Sequence, residues 1–579
     1  MKKSILVSAA VLFGTAAYAQ SAIDAYRFSQ PDMKGTARFM GMAGAFGALG
    51  GDLSTLSHNP GGIGVYRNSD VGFTLDLDLQ HAESNSQGMT VGTEQTKFLL
   101  NNIGFVWTLK LPSNTMPNFN IGFTYNKSTS FNRRYRGTIN LSNSLSNFDA
   151  ALTTQDGYSV SDLAYDDNTN FDPYNAENGA PWLSVLGYNT YLFSPAGKGK
   201  NPYYIGQWDS QTSGLGYFDV LESGAVDSYN IAFGGNIANV VSWGMDFDIT
   251  HLNYNINPIW TEDLDNALVG NDEGGFDRLQ STWKLNNLYN CSGTGFNYKL
   301  GFIIKPVHEF RIGLSFETPT WYSLTETYSA SLSYLYGTDK GTGYTNDGIP
   351  AYDNMNFRTP WKFNIAAAAV LLNRLILSAE YEWTGYSGMK FSQPNYWGWG
   401  GGYPPYDDPY FPPYDDPWDP WYYSSSPAGQ TRFDPYISDS PFYEENQDIQ
   451  TYYRHTNTFR IGAEFRVVPQ FSIRAGYCFV SSPVKPNTSE NNFIYTSGTM
   501  PNYRFDNTTN YVTAGLGYNI NGFYVDLAYV YKHMSSQYHA YSNWWNTTNM
   551  TYPEGFIPSP TSSLSLCNSQ IVLSAGFKF

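Results

Sequence analysis

From Val71 to the end, this chain keeps returning to one pattern: about ten residues in which apolar side chains alternate with small or polar ones. Val71, Phe73, Leu75, Leu77 and Leu79 alternate with Gly72, Thr74, Asp76, Asp78 and Gln80. The same beat recurs at Ile103-Phe105-Trp107-Leu109, Phe119-Ile121-Phe123-Tyr125, Trp243-Met245-Phe247-Ile249, Phe310-Ile312-Leu314-Phe316 and Phe459-Ile461-Ala463-Phe465. Phe471-Ile473-Ala475-Tyr477, Val512-Ala514-Leu516-Tyr518, Phe523-Val525-Leu527-Tyr529-Tyr531 and Ile571-Leu573-Ala575-Phe577-Phe579 complete the series. Period two means β-strands whose two faces meet different surroundings. That excludes helical folds and leaves a sandwich array or a barrel.

The links between runs decide which. Short turns at 112–117, 239–242, 305–309, 372–374, 468–470 and 519–522 alternate with long polar stretches at 83–96, 134–223, 259–276, 337–354, 393–450, 483–507 and 544–565. A membrane barrel sorts its connections this way, with periplasmic turns and extracellular loops, whereas a soluble sandwich has no reason to. The runs number about fourteen, an even count that returns the C-terminus to the turn side. Composition agrees. The 579 residues are 17% aromatic and only 14% charged, against roughly 25% charged in soluble domains. No run of ~18 apolar residues for a helical span follows the N-terminus. We therefore expect an all-β fold: an antiparallel transmembrane β-barrel of about 14 strands.

Lys2-Lys3, the apolar Ile5 to Phe13 and the small Ala17-Tyr18-Ala19 read as a secretion signal over 1–19,. A formal charge of -17 makes a poor nucleic-acid binder,. Cys291, Cys478 and Cys567 have no metal-ligand spacing, and whether two of them pair is open,. No nucleophile and base are presented together, so a non-enzymatic protein without cofactor or metal is expected.

Between the signal and the first strand lies Gly35 to Tyr66, crowded with Gly and Ala. Such a segment buries little apolar surface of its own and suits threading through a confined space. Its order Ala37, Gly41, Gly44-Ala45, Ala48, Asp52 and Asn59-Pro60 resembles the N-terminal hatch of the FadL-type outer-membrane transport family, in which Asn-Pro-Ala is the recognisable motif; here Gly61 replaces the Ala. Phe296 to Thr320, Thr458 to Pro483 and Asn510 to Tyr531 are similar to paired strands of that family, and the terminal Phe579 resembles the strand ending read by the barrel assembly machinery.

The resemblance implies three parts: a signal peptide at 1–19, a hatch in the lumen at 20–67, and a barrel at 68–579 with long extracellular loops at 134–223 and 393–450. It implies a monomer in the outer membrane, among its lipids and lipopolysaccharide, passing long-chain fatty acids or aromatic hydrocarbons. Capture outside, binding beside the hatch and passive lateral release through a wall gap would be the steps. Gly41, Gly44, Asp52, Asn59, Pro60 and Gly61 are the hatch residues so marked. A haem or surface-nutrient receptor and a surface adhesin are the alternative uses of the scaffold.

Charges at membrane depth must face the lumen and pair. Asp76, Asp78, Asp246, Asp248, Arg311, Glu317, Glu380, Glu382, Arg460, Glu464, Arg466, Arg474, Asp526 and Lys532 share the parity of the small residues. They form either an ion-pair network propping the wall or, at Arg311, Arg460 or Arg474, a partner for a ligand carboxylate in an apolar pocket. His58 is a packing residue or, on the haem reading, an axial ligand. The repeated Tyr-Asp-Asp-Pro of 406–409 and 414–417 makes a semi-rigid loop, or one that takes carbohydrate, apolar ligands or Ca²⁺.

Overall fold

A computed structural model describes residues 20–579 except 31, 114, 167, 176–178, 197–202, 272, 373, 395–441 and 546–554. The signal segment and both Tyr-Asp-Asp-Pro repeats lie outside the described residues.

Fourteen antiparallel strands close into a barrel. In order they are Asp70–Ser86, Met89–Lys110, Asn118–Ser130 continued by Arg133–Asn140, Ser213–Ile237, Val241–Gly270 and Phe276–Ile304. The seventh joins Phe310–Glu317 to Trp321–Tyr336, the eighth Ala351–Arg358 to Lys362–Leu371, and the ninth Leu375–Gly385 to Lys390–Ser392. His455–Val468, Phe471–Val480, Tyr503–Ile520, Phe523–His539 and Thr561–Lys578 finish the wall. The first strand pairs with the last in register from Asp70↔Lys578 to Asn85↔Ser563, so no sheet edge is left there,. Tight turns close one end; at Asn521-Gly522 both central residues have positive φ, 51° and 88°, the twist a two-residue hairpin needs,.

The alternation is realised as expected. Val71, Phe73 and Leu79 face outward, exposed, while Gly72, Thr74, Asp76, Asp78 and Gln80 are buried. The long polar stretches differ from expectation. Residues 259–276 and 337–354, read as loops, are largely strand: the fifth strand runs on to Gly270, and Asp339–Tyr344 pairs back on the seventh strand. Within 134–223, strands occupy Arg133–Asn140 and the start of Ser213–Ile237. The cause is a change of phase. Ile249 points out to lipid, but from Leu252 onward the apolar residues Leu252, Tyr254, Ile256 and Trp260 point inward and polar ones face water. Above the membrane the barrel is lined by an aromatic core, and the alternation inverts.

Residues 20–66 run inside the barrel. Helix α1, Ala22–Ser29, sits in the upper half, where Tyr26 stacks on Tyr453 and Phe28 meets Tyr254 and Phe357 edge-on. Helix α2, Ala37–Gly41, is capped by the Thr36 hydroxyl; α3, Thr55–His58, leads into a 3₁₀ turn at Pro60–Val65. Outside, α4, Leu145–Gln155, and α5, Trp182–Asn189, pack as a cap, joined by α6, Tyr443–Tyr452.

Candidate functional site: a lumenal cavity beside a seam in the wall

The hatch is bolted to the wall beside the cavity. Gly41 O accepts from Thr513 Oγ1 at 3.0 Å, and the Ala37 N–H donates to Ser574 Oγ at 2.7 Å. Asp52 Oδ1 accepts from Thr36 Oγ1 at 2.8 Å and from Ser54 N at 2.9 Å, folding the hatch on itself. Gly44 lies at φ 73°, where the chain reverses over the Phe39 ring. Asn59 donates from Nδ2 to Gly47 O at 2.5 Å and accepts the Gly61 N–H at 3.0 Å. Pro60 and Gly61 press against the wall: a Cβ on Gly244 would stand 2.0 Å from Pro60 O. Ion pairs add to this, with Arg38 to Glu464 at 2.9 Å, Lys34 to Asp76 at 2.7 Å and Asp32 to Lys532 at 3.2 Å.

Beside these bolts, with Asp32 and Lys34 in its lining, is a cavity of about 220 Å³. Phe28, Phe39, Phe316 and Tyr322 give it apolar surface; Lys34, Lys127, Lys299, Lys362 and Arg460, with Asp32, Asp248, Glu317 and Glu382, give it charge. Of the three expected head-group arginines, the structure brings only Arg460 to this cavity. It donates to Glu380 at 2.7 Å and Glu382 at 3.1 Å. Arg474 is held by Glu464 and Asp526 at 2.8 and 2.6 Å. Arg311, near the turn end of the seventh strand, donates to Leu49 O at 2.9 Å and has no ion-pair partner among the described residues. The expected pocket was apolar around one cation; the observed one is ringed by ion pairs, because its walls carry the same inward charges that hold the hatch. Lys34, Lys127, Lys299 and Lys362 were not singled out in the sequence, although Lys299 shares the inward parity of Asp246 and Asp248.

His58 sits at the cavity edge with Nε2 2.8 Å from Glu380 Oε1 and its ring against Phe39. His58, Glu380 and Glu382 offer ligand atoms within 4.8 Å of one another, but Arg460 already bridges the two carboxylates.

Residues 126–129 also line the cavity, and there the wall parts. The second and third strands pair only between Asn102–Lys110 and Asn118–Asn126. Above that, residues 89–100 pair with the first strand alone and Arg133–Asn140 with the fourth alone. The third strand turns inward because Phe131 anchors edge-on to Tyr254, 5.0 Å between centroids, and its N–H bonds to Gly224 O, a residue at φ 109°. It then passes on the lumen side of its neighbours, Ser84 Oγ donating to Arg136 O at 2.6 Å and Thr93 Oγ1 to Arg134 O at 2.7 Å. A seam between the second and third strands results.

A closed barrel with lipid-facing apolar bands, turns at one end, a bolted internal hatch and a lumenal cavity defines an outer-membrane transport barrel. The chain belongs to the outer membrane protein transport family (OMPP1/FadL/TodX), whose model matches residues 228–543. It is thus an outer-membrane β-barrel of the type that transports hydrophobic compounds. Solved structures similar to it include a Pseudomonas aeruginosa FadL homologue (12% identity, TM-score 0.48) and the P. putida toluene transporter TodX (11%, 0.46). A third is the Ralstonia pickettii toluene transporter TbuX (13%, 0.41); each alignment covers 95% of this chain and 99% of the other. No curated protein matches the chain.

Proposed function

We propose that this protein passes hydrophobic small molecules from the cell surface into the lumenal cavity and releases them sideways through the seam between the second and third strands. The observation that carries this is the inward turn at Phe131, which ends the ladder between the second and third strands beside the cavity while the hatch keeps its contacts with the wall. A molecule in the cavity meets fixed hatch on the turn side and a missing ladder on the lipid side. The step is passive and non-catalytic: an apolar solute gains ~25 cal/mol per Å² on leaving water for lipid. Fatty acids and aromatic hydrocarbons both belong to this class. The size of about 220 Å³ favours one-ring compounds, since a ~150 Å³ apolar cavity holds benzene and drug-sized ligands need ~300–1,000 Å³. A long chain would have to extend its tail into the seam.

Deletion of residues 128–132 is designed to straighten the third strand and let it pair with the second. The expected outcome is loss of toluene uptake in cells carrying the shortened barrel, with its compact, heat-resistant form on gels retained. Uptake at the parent rate through a folded, shortened barrel would sink the lateral route.

A further inference from the structure

Glu326 is buried in the upper half of the barrel with no cation to meet it. It stands on the seventh strand, opposite Cys291 in the ladder with the sixth, and is 0% exposed. Its Oε2 accepts from the Tyr289 hydroxyl at 2.8 Å and its Oε1 from Gln20 Nε2 at 2.5 Å. Both donors are neutral, and among the described residues no Lys, Arg or His side chain reaches ion-pair distance of it. Asp353, which accepts from the same Gln20 Nε2 at 3.2 Å, has no such partner among them either. Asp24 of α1 is different: Arg27 lies 2.8 Å from it, and the Ser21 and Ser497 hydroxyls donate to it. A buried carboxylate needs a proton or a cation, because a bare charge is too costly to desolvate.

The residue that touches Glu326 is the first one after the expected signal. Gln20 is 3% exposed, and its Oε1 has no donor among the described residues. The next N–H along, that of Ser21, donates to Asp24 Oδ2 at 3.2 Å and so fixes the entry into α1. Inside a longer chain the main-chain nitrogen of Gln20 offers one N–H and no charge. Hydrolysis of the Ala19–Gln20 bond changes both. Water adds across the amide, Ala19 leaves as a carboxylate, and Gln20 keeps an α-amine, protonated at neutral pH because its ordinary pKa is about 8. Three N–H donors and one positive charge then belong to the residue that already holds Glu326 and Asp353.

We propose that the amino terminus made by cleavage between Ala19 and Gln20 is the counter-ion of Glu326, and that this pair seats α1. The small Ala17-Tyr18-Ala19 sequence marks that bond for a signal-type endopeptidase,. Phe28 and Ser29, at the other end of α1, line the cavity, so the pair anchors an element of the cavity wall. This holds whatever the cavity carries.

The test starts from the mass of the amino-terminal peptide of the barrel purified from outer membranes, expected to begin at Gln20 with a free amine. A terminus at another residue overturns the proposal. So does one lighter by an ammonia, in which Gln20 has cyclised onto its own amine. Competitive acetylation of the folded barrel in detergent, across pH, then gives the titration midpoint of the α-amine. A midpoint above about 8 is expected, because a carboxylate partner favours the ammonium. In Glu326→Gln, checked for the compact folded form, the midpoint should fall by about one pH unit or more, since burial without a partner favours the neutral amine. The same midpoint in parent and variant overturns the pair, as does a parent midpoint below about 8. A second measurement separates charge from packing. An Ala inserted between Gln20 and Ser21 moves the amine by one residue, about 3.8 Å along the chain, and should lower the melting temperature of the compact form. In Glu326→Gln the same insertion should lower it by less than half as much. Equal losses in the two backgrounds would mean that only packing is disturbed, and would overturn the pair.

Discussion

At Gly61 the side-chain hydrogen is the whole side chain, and the wall depends on it. A Cβ there would stand 2.7 Å from Phe302 N and 2.8 Å from Gly301 C, closer than packed atoms allow. The departure from Asn-Pro-Ala is thus matched to the sixth strand, whose backbone comes up against the hatch at Gly301. Gly61→Ala is expected to cost about 1–3 kcal/mol through overpacking, read as a lower melting temperature of the compact form on gels; an unchanged melting temperature would show that the hatch yields there. Arg460 makes the second case. It is opposite Glu380 in the ladder between the ninth and tenth strands, and its removal takes the guanidinium from the buried Glu380 and the half-buried Glu382. Arg460→Met should cost about 3–5 kcal/mol, and Glu380→Gln in the same chain should recover part of that, a coupling visible in a double-mutant cycle. The sequence announced the turn at Asn59-Pro60 and the inward parity of Arg460. It held no sign of Gly301 beneath the turn, or of Glu380 as a partner 80 residues away, since cross-strand register over a long insertion is not written locally.

Elements were readable where one face meets lipid, and misread where that face changes. The alternation around Val71–Leu79 or Phe459–Phe465 marked strands because apolar residues hold one parity throughout. Past Ile249 the apolar parity shifts to the lumen side, and the stretch from 259 onward, read as loop, continues the strand to Gly270. The third strand's inward turn was equally hidden, because its cause is Phe131 meeting Tyr254, a contact between distant strands. The cap offers a test at this scale. Asp149 on α4 is buried, accepts from Ser184 Oγ at 3.1 Å, and is pushed up to about 7 by desolvation, from 3.8. With its folded value raised, its stabilisation of the cap is fully present below about pH 4 and is lost as pH rises toward about 7. Hydrogen exchange of the Leu145–Gln155 amides, corrected for intrinsic rate, should show more protection at pH 5 than at pH 8, and Asp149→Asn should flatten the difference. Equal protection at both pH values would place the loosening elsewhere.

For the molecule as a whole, the route is settled by whether the hatch must leave. A path straight through the barrel requires Gly41, Asn59 and Lys34 to give up their wall partners together; a lateral path requires none of this. Gly41 and Ala528 allow the two to be separated. A Cβ built on Gly41 would lie 3.6 Å from Ala528 Cβ, within the ~3.5–4.5 Å that a disulfide spans. The double variant Gly41→Cys, Ala528→Cys should therefore oxidise to lock α2 onto the thirteenth strand. If release is sideways past the closed bolts, toluene uptake by oxidised and reduced forms should agree within about twofold, a difference of under 1 kcal/mol in barrier height. Uptake that stops on oxidation and returns with reductant would mean that the hatch itself is the door, and that the seam at the third strand serves some other end.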